Sequence, residues 1–565
     1  MSLAATGPMA EGVRVPREGL VMRLGVTLLV AWLLLTIALP LWALLSKSFQ
    51  NADGAFVGLA NYLRYFSTPA LFGSVFNSIA VALASTAIVI PLAFGYAYAL
   101  TRSRMPFKGL LYAVALFPLF APSLLSAISL IYLFGNQGLL KDLMFGASVY
   151  GPIGIVMAQV FYCFPHALII IVTALALADA RLYEVAEALG TARSRIFRTV
   201  TLPGAKFGLV NAAFVVFTLV VTDFGIAKVI GGQFNVLATD AYKQVVGQQN
   251  FEMGAVVGMV LLVPAVLAFA IDRIVQRRQV ALLSARAVPL VPKPSRGRDA
   301  ALLAYCLVVG SLIVMVLGVA IWASFITYWP YNLTPTLNNY NFGNFDPGGW
   351  DPYFNSVAMA AAAAVAGTAI VFAGAYLVEK TRAFAAGRML AHLLAMLPMA
   401  VPGLVLGLGY VFFVNAKWNP LGILYGTLAV LVINSIAHFY TVAHITALTA
   451  LKQIDPEFEA VSASLKVPFW RTFGRVTVPI CLPAIVDIAV YMFVNALTTV
   501  SAVIFLYGPG TKLASIAIVH MDEMGAAAPA AAMATLIVAT ALAAKLLHLL
   551  VDRLLLGRLQ AWRKR

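Results

Sequence analysis

The stretch Asp179-Ala180-Arg181-Leu182-Tyr183-Glu184-Val185-Ala186-Glu187-Ala188-Leu189-Gly190, running on to Thr201-Leu202-Pro203, is polar ground between two long apolar runs, 152–177 and 207–228. Ala180–Leu189 consists of strong helix formers and is followed by glycine, a usual helix terminator. A second short amphipathic stretch, Ser194–Val200, carries Arg195 and Arg198. The segment reads as a helix–glycine–helix element held in water between two stretches that avoid it.

Moving outward, such runs recur along the whole chain. A helix needs about 20 apolar residues to cross a bilayer core. Twelve runs qualify: 24–45, 77–100, 109–134, 152–177, 207–228 and 254–275, then 301–325, 355–378, 389–415, 422–448, 482–506 and 527–550. The fold class is therefore all-α and polytopic. Of the 565 residues, 62% are hydrophobic and 11% charged, with a mean hydropathy of +0.92. A soluble enzyme carries about 25% charged residues, so that class is excluded. Cys163, Cys306 and Cys481 all sit in apolar runs, which excludes a disulfide framework or a Cys-rich metal site. The first run is too long for a signal-peptide core of about 7–15 residues, so it is expected to stay.

Lys and Arg set the orientation. With twelve crossings and the N-terminus inside, 31 of the 38 basic residues fall on the inner side and 7 on the outer. That is the positive-inside pattern, with both termini cytoplasmic. It also accounts for the net charge of +16 without a nucleic-acid surface.

The two halves repeat. Asn61-Tyr62 returns as Asn339-Tyr340 and Phe76-Asn77-Ser78 as Phe354-Asn355-Ser356, both 278 residues on. Thr101-Arg102 returns as Thr381-Arg382, and Pro118 and Pro122 as Pro398 and Pro402, at 280; Pro203 returns as Pro479, at 276. Six crossings per half make the two repeats parallel. The expected layout is a tail 1–23, a first half 24–275, a cytoplasmic linker 276–300, a second half 301–550 and a basic tail 551–565.

These residues resemble the binding-protein-dependent permease family of ABC importers. Its signature is Glu-Ala-Ala, three residues, Gly, nine residues, Ile-x-Leu-Pro. The first half matches at Glu184, Ala186, Gly190, Leu202 and Pro203, with Val185 and Val200 as departures. In the second half Pro479 fits, but Ala460 stands at the glutamate position, with Glu459 beside it, and Lys466 at the glycine position. The resemblance implies a type I ABC importer permease fold in the bacterial inner membrane. It also implies that each loop is a coupling helix seated on a separate ATPase dimer, and that a periplasmic solute-binding protein delivers the small-molecule cargo. ATP and Mg would reside on the ATPase. This chain has no Gly-x-x-x-x-Gly-Lys-Ser/Thr loop; Gly508-Pro509-Gly510-Thr511-Lys512 is too short. It is expected to be a transport subunit rather than an enzyme, with no cofactor or metal of its own. The fused layout resembles the iron(III) and 2-aminoethylphosphonate type. Thr222-Asp223-Phe224-Gly225, Val229–Asp240 and Tyr242–Phe251 look most like 2-aminoethylphosphonate permeases. Composition and periodicity do not separate the two cargoes.

Polar residues within the runs are candidates for a substrate path. Asp223 lies toward the outer end of its run, and an offset of 276 pairs Thr222 with Thr498 and Asp223 with Thr499. The alternative for Asp223 is a helix-end cap. Asn434 and His438, one helical turn apart, suit helix–helix hydrogen bonding, and Gly403, Gly407 and Gly409 suit close packing. A secondary transporter is the competing class, but it usually carries several buried carboxylates, and here Asp223 stands almost alone. A membrane enzyme would need a clustered catalytic set, which is missing from the sequence.

Overall fold

The computed structural model describes residues 16–280, 288, 290–381 and 384–556. Part of the N-terminal tail, residues 281–287 and 289 of the linker, Arg382, Ala383 and the end of the C-terminal tail lie outside the described residues.

Among these residues nine helices are long and apolar enough to cross a membrane, and the number rises to twelve if three bent pairs each count as one crossing. The bent pairs are Lys108–Phe120 with Ser123–Phe134, Ala385–Ala400 with Gly403–Val414, and Phe469–Ile480 with Leu482–Thr498, bent by 103°, 115° and 76°. The runs 109–134 and 389–415 are therefore not straight spans. Pro118 and Pro122, and Pro398 and Pro402 in the repeat, remove backbone donors one turn apart. Ala121 and Pro122 adopt extended backbone, as do Val401 and Pro402, and the chain turns there. The run 482–506 is also shorter as helix: it ends at Thr498 and continues as buried turns through Leu506.

The repeated residues make repeated bonds. Asn61 Nδ2 donates to the carbonyls of Ser48 and Gln50, and Asn339 Nδ2 to those of Ser324 and Ile326. Ser78 Oγ accepts from Leu237 N, and Ser356 Oγ from Ala514 N, both at 2.8 Å. Asn77 and Asn355 hold the same loops through backbone carbonyls. The sequence repeat is thus a repeat of hydrogen bonds, one set at the end of each half's first long helix and the other anchoring its second long helix to a later loop.

The halves also exchange helices. The first long helix, Gly19–Ser48, packs on second-half helices: Tyr410 donates to the carbonyl of Thr36 at 2.7 Å. A Cβ added at Gly374 would meet Leu29, and one at Gly409 the carbonyl of Pro40 at 2.6 Å. Reciprocally, Arg296–Ser324 packs on the first half, where Tyr305 donates to the carbonyl of Leu92 at 2.8 Å. The buried arms Ser123–Phe134 and Gly403–Val414 face these visiting helices.

Candidate coupling face and pathway mouth

One end of the bundle carries the basic loops. Asp179 Oδ1 accepts from Arg181 N at 3.1 Å and caps the helix Ala180–Ala188. Its C-terminal end closes with Thr191 N donating to the Ala186 carbonyl and Gly190 N to that of Glu187. Gly190 has φ +66°, the left-handed conformation such a stop requires. The second half builds the same element. Glu457–Ser464 is helical, Val467 N donates to Ser462 and Lys466 N to Ala463, and Lys466 sits at φ +53°. The departure at Lys466 therefore changes the residue and keeps the geometry. Leu182, Val185 and Leu189 are exposed on the first helix, and Phe458, Val461 and Leu465 at the matching positions of the second. Glu184 and Ala460, also at matching positions, are both exposed, while Ala186 is half-buried. Glu459 is ion-paired with Lys380 at 2.6 Å.

Each element is tied to its spans in the same way. A π-turn follows, Phe197–Thr201 or Phe473–Thr477, just ahead of Pro203 or Pro479. A proline cannot donate to the carbonyl four residues back, and the helix widens ahead of it. The π-turn aims Phe197 at Phe94 and Tyr98, both with ring centroids at 5.9 Å. Phe473 meets Phe372 at 5.9 Å and Tyr376 at 4.7 Å. In the first half buried Arg102 adds a second tie. It donates to the Leu175 carbonyl at 2.7 Å and lies over the Tyr183 ring, whose hydroxyl bonds Thr201. Motif reading passed over these aromatics and Arg102; the repeated Thr-Arg pair was the signal available.

At the opposite end, Asp223 ends the helix Leu202–Thr222. Its Oδ2 accepts from Gln159 Nε2 at 3.1 Å and from Ile226 N at 2.9 Å, at the start of the short helix Gly225–Ile230. Thr222 and Thr498 turn their hydroxyls back onto the carbonyls of Thr218 and Val494, and the Thr499 carbonyl accepts from Ser515. Among the described residues no hydrogen bond joins the Thr222–Asp223 pair to Thr498 or Thr499. Asn434 donates to the Ala502 carbonyl at 2.7 Å, and a Cβ at Gly407 would stand 2.5 Å from that same oxygen. Asn434 of the tenth run and Gly407 of the ninth thus both approach the turn at Ala502.

The two halves also meet at this end through side chains that no motif singles out. Lys228 pairs with Glu523 across the halves at 2.5 Å and lies 4.8 Å from the centre of the Tyr242 ring, which stacks on Phe505 of the other half. Lys512 holds Asp346 at 2.9 Å, so the Gly508–Lys512 loop is committed to its own half.

A family described as the binding-protein-dependent transport system inner membrane component matches residues 90–280 and 370–556, one copy in each half, and each copy contains its loop element. The chain belongs to that family. This permease is 28% identical over 445 residues to the "Putative ferric transport system permease protein FbpB 1" of Haemophilus influenzae, covering 75% of this chain and 69% of that protein. It is 27% identical over 457 residues to the ferric transport system permease protein FbpB of Actinobacillus pleuropneumoniae, covering 77% and 65%. A shorter match, 28% over 196 residues, is to the thiamine transport system permease protein ThiP of Brucella suis, covering 34% of this chain and 35% of that protein. The permease thus spans about two thirds of the length of the two ferric relatives.

This end of the permease carries a displaced titration. Burial pushes the Asp522 carboxyl from 3.8 up to about 6, the neighbouring Glu523 charge adds to this, and Lys228 opposes it. A carboxyl raised in the folded state is a charge the fold disfavours. Its cost grows as pH rises from about 4 to about 6 and is complete above that. Asp522→Asn is therefore expected to raise the Tm of the purified permease at pH 8 and to change it little at pH 4. An equal shift at both pH values would reject the buried-carboxylate account.

Proposed function

We propose that this permease carries cargo through an ATP-driven importer of twelve crossings, by alternating access between its halves. The observation behind this is the pair of helix–left-handed–helix elements at the basic face, one per half. A dimeric ATPase offers two equivalent sockets, and two geometrically matched helices with exposed apolar teeth suit them. The 31:7 partition of Lys and Arg supports placing this face, and both termini, in the cytoplasm. The opposite mouth then receives cargo from a periplasmic binding protein. An engineered cysteine at Lys293 is expected to react with an impermeant maleimide only after the membrane is opened; labelling in intact cells would reject this topology.

The two ferric relatives support iron(III) as the cargo over 2-aminoethylphosphonate, whose support is the resemblance of residues 222–251. The direct test is ATP-dependent uptake into proteoliposomes holding the permease, its ATPase and its binding protein. Radioactive iron(III) and labelled 2-aminoethylphosphonate are supplied in parallel. Accumulation of iron alone is expected; accumulation of the phosphonate alone would reverse the choice.

Asp223, with Thr222, Thr498 and Thr499, is the proposed polar lining. A lone carboxylate attracts a hard cation or an ammonium group without trapping it. Asp223→Asn keeps shape and an acceptor for Ile226 N but loses the charge. It is expected to lower uptake about ten-fold while the complex still assembles and hydrolyses ATP. Wild-type uptake would leave Asp223 as the cap of Gly225–Ile230 and nothing more.

A further inference from the structure

A groove of about 420 Å³ runs between helices of different halves, Lys108–Leu116 and the visiting Arg296–Ser324. Leu110 and Val114 stand on one wall, and Leu307, Gly310, Ser311 and Val314 on the other. Leu110, Leu307 and Val314 are each more than half exposed, so the groove is open at the flank of the bundle. Both helices belong to membrane crossings, and glycine at 310 with serine at 311 keeps the space between them free of long side chains.

Positive charge gathers at the inner end of the groove. Arg296 lies on the same face of its helix as the groove, because 296, 300, 304, 307, 311 and 314 follow one another at steps of three or four residues. Ala300 and Ala304, which lie between, are small and exposed. Lys108 begins the helix of the other wall. Its Nζ donates to the Ser103 carbonyl at 2.5 Å and lies within electrostatic reach of Asp299. Arg104 Nε donates to the Pro292 carbonyl at 2.7 Å. Asp299 is itself taken up by Arg298, at 2.9 and 3.1 Å, and by Ser295 N at 3.1 Å. Lys108 and Arg104 thus rest on carbonyls, which do not cancel a cation, and Arg296 is exposed.

The matching helix pair, Ala385–Met396 with Gly19–Ser48, is built differently. Ser48 and Ser324 fix the register of the two first helices at 276, since their hydroxyls meet Tyr62 and Tyr340 at 2.8 and 2.9 Å. At that offset Leu20 stands at the place of Arg296, Leu34 at Gly310 and Leu35 at Ser311. The small residues and the cation are present together at one pair and exchanged together at the other. An apolar slot in the hydrocarbon with cations at its inner lip complements one kind of molecule, an anion carried on an acyl chain.

We propose that this groove binds an anionic phospholipid of the inner leaflet, with its phosphate at Arg296 and Lys108 and one acyl chain laid between the two helices. The lipid then bridges the halves at one flank and not at the other. The site rests on the membrane topology proposed above and is independent of the cargo.

The test titrates the full permease, stripped of lipid in detergent, with phosphatidylglycerol or with phosphatidylcholine of the same chains, and counts bound lipid by native mass spectrometry. The wild type is expected to hold a single phosphatidylglycerol about ten-fold or more tightly than phosphatidylcholine. Arg296→Gln and Lys108→Gln are each expected to weaken phosphatidylglycerol about five-fold, the effect of one basic residue at an anionic headgroup. Ser311→Leu, which installs the residue of the matching position, is expected to weaken both lipids by filling the slot. Equal affinity for the two lipids, or phosphatidylglycerol binding unchanged by any one of these three substitutions, would overturn the proposal. Displacement of phosphatidylglycerol by an equal concentration of inorganic phosphate would also overturn it, because the acyl chain would then contribute nothing. Labelling of Lys293→Cys in intact cells would reject the topology separately.

Discussion

Gly190→Val is expected to remove most transport while leaving the membrane bundle folded. A Cβ added at Gly190 has nothing within 4 Å, so the substitution makes no clash. Its cost is conformational: φ +66° is disfavoured for any L-residue by about 1–2 kcal/mol and more for a β-branched one. The loop relieves that strain by opening the 191→186 and 190→187 bonds, which swings Arg193–Ile196 away from its place. ATPase association and uptake should each fall about ten-fold or more. Lys466→Val should fall less, because a side chain already occupies that left-handed position. Lys466→Gly should raise stability by about 0.5–1 kcal/mol. Equal losses from Gly190→Val and Lys466→Val would refute this account of the left-handed position.

The second large effect is expected at the Lys228–Glu523 pair. It joins the halves at the end opposite the basic loops, with Tyr242 and Phe505 stacked alongside. Under the proposed alternating access, opening at this end requires the pair to part. Lys228→Gln and Glu523→Gln are each expected to raise ATP turnover in the absence of binding protein by about five-fold, the effect of losing about 1 kcal/mol from a half-exposed pair. The double exchange Lys228→Glu with Glu523→Lys is expected to bring turnover back toward wild type. Turnover unchanged in both single variants would show that the pair is not part of the closure.

Much of this architecture is legible in one sequence because membrane crossing leaves a long signal. Apolar runs, their basic flanks and a repeat at 276–280 residues predict the order of the helices. The loop motif also predicts its own geometry: Gly190 is in the left-handed region, as a helix-ending glycine should be. Lys466 shows the limit. Residue type put the second loop in doubt, but two backbone bonds hold the same turn around a lysine. The bends at Pro118–Pro122 and Pro398–Pro402 were visible as prolines and not as angles, because a run of apolar residues reads alike whether straight or folded. Lys228 and Glu523 lay outside any motif. Their meaning depends on a neighbour in the other half, and local patterns carry no information on who that neighbour is.

The exchange of helices between halves has a consequence for how the chain is made. Thr36 and its partner Tyr410 are 374 residues apart. At about 5–20 residues per second, the ribosome needs on the order of tens of seconds to reach that partner. Through that interval Gly19–Ser48 sits in lipid with its packing face open, and Gly374 and Gly409, shaped to receive it, do not yet exist. The first half cannot mature before the second is synthesised. A stall or truncation in the second half would strand the first with that face unpaired, while fusion in one chain keeps the two halves equal in number.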